Sequence, residues 1–183
     1  MPVKIALCGV LLLTVAGCSL LKVDPNDPVA VQKEVEVERD SFKSFVFYRG
    51  PEVSNTANED SDAPEVEGLA LHARTGEDRQ TRYFLSVTDY YDGDWRGFDQ
   101  AFDSTGGKFH ALAVKHKVNC HLFCGYAEML DIELSRQYLD AHAHTGITMR
   151  LYGPSGAASA PFTLPAGYLQ GFLKGLKGSF NNK

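Results

Sequence analysis

Apolar and polar residues alternate with a period of two through the middle of this chain. Residues 42–48 (FKSFVFY) are rich in aromatic and branched side chains. Leu69, Leu71 and Ala73 alternate with Ala70, His72 and Arg74, and Tyr83, Leu85 and Val87 alternate with Phe84, Ser86 and Thr88. This period sends one set of side chains to a core and the other to solvent, which predicts half-buried strands. Along residues 109–118 the pattern puts His110, Leu112, Val114, His116 and Val118 on one face and Ala111, Ala113, Lys115 and Lys117 on the other. Residues 128–134 form a further strand, with Met129 out of phase with Leu130, Ile132 and Leu134. Asp92-Gly93 supplies the positive φ of a tight turn, and Asp94-Trp95 resumes beyond it.

Helical spacing comes late. Ser135 is placed to cap a short helix through Tyr138, Leu139 and His142, with Gly146 as its left-handed stop. A strand over residues 147–152 follows. Pro165 suits the first position of a C-terminal amphipathic helix in which Tyr168, Leu169, Phe172, Leu173 and Leu176 recur at three- and four-residue spacing. Gly171, Gly175 and Gly178 each lower helix propensity by about 1 kcal/mol relative to Ala, so packing on the sheet has to hold this helix. The 17 Gly and eight Pro favour many turns over long helices. The fold class expected is mainly β, antiparallel and β-sandwich-like, with a C-terminal amphipathic helix; the alternative is α+β.

The first residues carry a different pattern. Lys4 gives a positive start, and residues 5–16 (IALCGVLLLTVA) are an apolar run that extends no further than Leu21 before Lys22. That is an export signal, short for the roughly 20 apolar residues a membrane-spanning helix needs. Val15, Ala16 and Gly17 directly precede Cys18 and resemble the lipobox of bacterial lipoproteins, in which a branched apolar residue and two small residues stand before an obligatory cysteine. The resemblance implies cleavage between Gly17 and Cys18, a diacylglycerol on the Cys18 sulfur and an acylated amine. It also implies, from Ser19 rather than Asp at the next place, travel to the outer membrane, facing the periplasm. Two or three acyl chains anchor durably where one binds only marginally. The bilayer is then the first partner, and another envelope protein the second.

The domain organisation expected is a signal peptide over residues 1–17, a lipidated N-terminus and tether over 18–40, and one β-rich globular domain over 41–183. Asp24-Pro25-Asn26-Asp27-Pro28 has no helical period, and Val29, Val31, Val35 and Val37 alternate as in an edge strand or a loose spacer. Residues 52–67, with six acids and few bulky residues, are expected as a polar loop; they lack the glycine and terminal glutamate of an EF-hand calcium site. Without Lys4, 17 basic residues face 23 acidic ones, a balance of −6. No basic stripe is visible, so nucleic acid is not an expected partner.

With Cys8 lost in the signal and Cys18 lipidated, Cys120 and Cys124 remain. In an oxidising compartment the expectation is a disulfide closing residues 120–124. Two other uses of these thiols compete: a copper or zinc site with His116, His121, His142 and His144, and thiol redox. The C-x-x-x-C spacing resembles copper-delivering thioredoxin-like lipoproteins, but that family has Pro after its pair, where this chain has Gly125. Asp89, Asp92, Asp94, Asp99 and Asp103 around Trp95 raise sugar binding as a further candidate. Neither a G-x-S-x-G elbow nor a phosphate-cradling glycine loop is present. The expectation is a non-enzymatic envelope lipoprotein with no catalytic residue, metal or cofactor; the alternative is a metal- or carbohydrate-binding one.

Overall fold

The computed structural model describes residues 23–40, 42–55, 66–120 and 124–180. Among them the elements are, in chain order, α1 (Pro28–Lys33), β1 (Glu36–Asp40), β2 (Phe45–Arg49), β3 (Val53–Ser54), β4 (Val66–Thr75), β5 (Thr81–Asp92), β6 (Gln100–Asp103), β7 (Lys108–Cys120), β8 (Cys124–Leu134), α2 (Arg136–His142), β9 (Ile147–Tyr152), β10 (Phe162–Leu164) and α3 (Ala166–Phe180). The strands hydrogen-bond in the order β1-β2-β4-β5-β8-β7-β6-β9-β10, with β3 also on β4, and every pairing is antiparallel. The protein is mainly antiparallel β with a C-terminal helix.

Period-two burial follows directly from the ladder. Leu71 lies beside Leu85 and Leu85 beside Ile132; Leu69, Val87 and Leu130 line up in the same way. All six side chains are fully buried. The sheet curls around this core face, and its two sides are tied by Asn55. The Asn55 amide donates to Pro161 O at 3.2 Å and accepts from Thr163 N at 3.1 Å, so one buried side chain takes the place of a strand pairing. Helix α3 fills the curl with Tyr168, Leu169, Phe172, Leu173 and Leu176. Burial raises the Tyr168 pKa, and the hydroxyl donates to Pro51 O at 2.6 Å while accepting from Leu71 N at 3.2 Å. Pro165 stands one place before the first helical residue, and its carbonyl accepts from Leu169 N at 3.3 Å.

The stretch expected as tether is shorter than the pattern suggested. From Val23 the chain packs on the core. The Asp27 side chain caps α1 by accepting from Val29 N and Ala30 N, Pro28 opens the helix, and Val31 is fully buried. The physical reason lies on α3. A Cβ at Gly171 would come within 2.6 Å of Pro28 O and 2.7 Å of Val31 Cβ, and one at Gly175 within 2.8 Å of a Val35 methyl. These glycines form a groove into which residues 26–35 are laid, which offsets their low helix propensity. β1 then pairs with β2, and its charged edge (EVERD) suits an exposed strand. Of the expected polar loop, residues 53–54 are strand β3, Val66 and Glu67 open β4, and 56–65 lie outside the described residues.

Two local expectations change. Asp92-Gly93 does not make a hairpin: β5 pairs with β4 and β8, and residues 93–99 form an irregular loop with positive φ at Gly93 and Gly97. In β7 a bulge between Ala113 and Lys115 exchanges the faces. Leu112 therefore stands opposite Asp131 on the outer face, whereas His116 and Val118 stand opposite Glu128 and Tyr126 on the core face. α2 forms as expected, capped by Ser135 and followed by Gly146 at φ +81°.

A turn after β6 offers a pH test. Asp103 accepts from Thr105 N, Thr105 Oγ1, Gly107 N and Tyr138 Oη at 2.7–2.9 Å. Burial pulls its pKa upward, but these hydrogen bonds outweigh it and the net shift is downward. A depressed carboxylate contributes stability that is present above its unfolded pKa and is lost as pH falls through the folded one. Asp103→Asn is therefore expected to flatten the acid limb of the stability curve below about pH 4. An unchanged acid limb in denaturation from pH 7 to 2 counts against this role.

Candidate functional site

The exposed aromatic patch at Trp95 is built on a buried polar base. Glu128 and Asp89 are register partners on β8 and β5, both fully buried. Glu128 accepts from the Tyr91 hydroxyl, from Gly97 N at 2.9 Å and from Phe98 N at 3.1 Å. Arg96 lies 3.6 Å from the Asp89 carboxylate, its guanidinium 4.3 Å from the centre of the Tyr91 ring. Its backbone N–H donates to the Tyr91 hydroxyl at 3.1 Å. Burial first, and then Glu128, raise the Tyr91 pKa, which keeps the phenol protonated as a donor. Buried charge is tolerated when it is hydrogen-bonded or paired, as Glu128 is by its three donors and Asp89 by the Arg96 guanidinium. The consequence is local: residues 96–98 are pinned across the core face where β5 ends and β8 begins.

That pinning fixes Trp95. Its ring packs edge-on to Tyr126 at 4.8 Å and tilts over His116 at 4.9 Å, and Tyr126 stacks on Tyr91 at 6.0 Å. Trp95 nevertheless remains 43% exposed and Val118, across from Tyr126, 46%. A large aromatic surface held rigid from below loses little entropy on contact, as in the anchor residues of protein interfaces. The five aspartates expected near Trp95 do not converge. Asp89 faces Arg96, Asp103 organises its own turn, Asp99 is half-buried with its backbone N–H on Tyr152 O, and Asp92 and Asp94 are exposed.

The backbone register sets Cys120 opposite Cys124 across the β7–β8 hairpin. Opposed residues of an antiparallel ladder have Cα atoms about 4.5–5.5 Å apart, within the span a disulfide bridges. The two cysteine side chains and residues 121–123 lie outside the described residues. Among the rest, no three His, Cys, Asp or Glu side chains converge. His116 is under Trp95, and His142 Nδ1 is 2.9 Å from Tyr138 O with its ring 4.1 Å from that of Tyr138.

On the outer face of the sheet the register assembles a Ser, a His and an Asp that sequence reasoning missed. Ser86 Oγ is 2.5 Å from Asp131 Oδ1 and 3.2 Å from His72 Nδ1, and His72 Nε2 is 3.4 Å from Asp131 Oδ2. The Ser86 proton points to the carboxylate, so His72 is not placed to take it, and the arrangement is not that of an activated nucleophile. It ties β4, β5 and β8 together. Burial beside Phe47 and Phe84 lowers the His72 pKa; Asp131 works against that shift, and Arg49 and Arg74 add to it. A shallow trough of about 200 Å³ runs beside the cluster over Gly68, Ala70 and Thr88.

No protein-family model, curated protein or solved structure matches this chain.

Proposed function

We propose that the protein is a lipid-anchored component of the bacterial envelope, cleaved between Gly17 and Cys18, acylated on Cys18, and engaged in non-enzymatic binding of another envelope component through the Trp95 patch. Its place is the periplasmic side of the outer membrane, and Cys120 and Cys124 form a disulfide at the tip of the β7–β8 hairpin. The anchor rests on Val15-Ala16-Gly17-Cys18 behind a positive, apolar start. No helix among the described residues is long and apolar enough to cross a membrane. The binding role rests on one observation: a half-exposed tryptophan positioned by a buried Glu128, Tyr91 and Arg96 network.

Cys18→Ala is expected to move the protein from the membrane to the soluble fraction with the melting temperature of its domain unchanged. Trp95→Ala is expected to abolish capture of the envelope partner that wild-type protein retains; equal capture by both removes the patch from the account. The competing reading is carbohydrate, favoured by the free part of the Trp95 ring near exposed Asp92 and Asp94. A saturable change of Trp95 emission with soluble oligosaccharide would select it. Thiol counting tests the hairpin bridge: two reactive thiols in the oxidised mature protein contradict it and return Cys120 and Cys124 to the metal reading.

A further inference from the structure

Two strand edges of the sheet have no partner among the described residues, and they carry opposite charge. β1 ends the strand order, paired with β2 on one side only. The second open edge belongs to β7. β6 reaches only as far as His110, and Ala111 N donates to Asp99 O at 2.9 Å as the last rung on that side. Beyond it β7 pairs with β8 alone. Residues 112–118 are all exposed, Leu112 at 58% and Val114 at 55%. An open edge offers backbone N–H and C=O groups to any extended chain, so its side chains decide what pairs with it.

The β7 edge is basic. From Lys108 to Cys120 the strand has no Asp or Glu. After the bulge Lys115 and Lys117 stand opposite Met129 and Ala127 on the outer face of the sheet, and Thr88 and Tyr90 follow in line on β5 without a carboxylate. The β1 edge is acidic. Glu36 and Glu38 stand opposite Arg49 and Phe47 on the outer face, whereas Val37 stands opposite the buried Tyr48. Glu36 lies 3.8 Å from Arg49, but both side chains are more than half exposed, which leaves the carboxylate open to a second cation.

Spacing and face agree between the two edges. Two glutamates two residues apart meet two lysines two residues apart in a single register, with both pairs on the outer face and Val37 beside His116 on the other. Opposite charges directly across a strand pair stabilise it and like charges destabilise it. Two β7 edges would set Lys against Lys, and two β1 edges Glu against Glu, so the symmetric dimer is disfavoured. We propose that the occupant of the β7 edge is a second copy of this chain, which adds its β1 edge head to tail. Each copy then keeps one open edge, and the protein builds rows or rings. The contact needs neither the lipid nor the Trp95 patch.

Full-length protein in non-ionic detergent at low salt is expected to sediment as species larger than a monomer that grow with concentration. Lys115→Glu with Lys117→Glu makes both edges acidic, and Glu36→Lys with Glu38→Lys makes both basic, so either double variant alone should stay monomeric. An equimolar mixture of the two restores assembly, since each acidic edge then meets a basic one. Carbodiimide coupling reads the contact itself, because it joins a Lys amine to a touching carboxylate as an amide and takes up the water released. Wild-type protein mixed from isotopically heavy and light preparations should yield heavy–light peptides that link Glu36 or Glu38 to Lys115 or Lys117. Assembly that persists in both double variants belongs to another surface and overturns the pairing, as does a monomeric wild type or a mixture that stays monomeric. Absence of the heavy–light link in wild type overturns it whatever the variants do.

Discussion

Replacement of Glu128 by Ala is expected to lower stability by about 3 kcal/mol, because two backbone N–H groups and a phenol lose a buried charged acceptor together. In a domain of this length that corresponds to a fall in Tm of about 6–12 °C. Glu128→Gln separates charge from shape. Oε1 accepts from Tyr91 and Gly97, and Oε2 from Phe98. Either orientation of the Gln amide turns an NH2 group toward a donor, so a loss of about 1–3 kcal/mol is expected even without a cavity. Both variants release the 93–99 loop, and Trp95 emission should move to longer wavelength in the folded protein. Native emission and an unchanged Tm in Glu128→Ala would mean that the loop is held by something other than this carboxylate.

The second large effect concerns the seam between α1 and α3. Gly171→Leu cannot be accommodated with Pro28 and Val31 in place, since even a Cβ would lie 2.6 and 2.7 Å from them. Displacement of α1 exposes Val31, at a cost of about 1.5–3 kcal/mol for a fully buried side chain. Gly171→Ala is informative for its sign. On an open helix face it would stabilise by about 1 kcal/mol, whereas here it should destabilise. Amide exchange over residues 27–35 is expected to quicken in both variants, most in Gly171→Leu. Protection equal to wild type would show that the seam yields to a side chain.

The sheet was legible because its core strands are plain in composition: Leu69, Leu71 and Ala73, or Leu85 and Val87, leave no second face to bury. In β7 a single residue at the Ala113–Lys115 bulge shifts the phase, which alternation alone does not reveal. The docking of residues 23–35 was half visible. Glycines spaced by four on a helix that needs outside support already called for a close neighbour, but nothing in Val29, Val31 and Val35 identified that neighbour. Glu128 carried a usable signal, since it shares the phase of Leu130, Ile132 and Leu134 and so had to face the core. The His72, Ser86 and Asp131 cluster carried none. Its members come from three strands, and only the register of β4, β5 and β8 brings them together.

The most direct test of the account is the intact mass of the protein extracted from envelope membranes. The expected result is a chain that begins at Cys18 and carries a diacylglycerol with or without a further acyl group. A chain that retains residues 1–17, or one that begins at Cys18 with no added lipid, contradicts it.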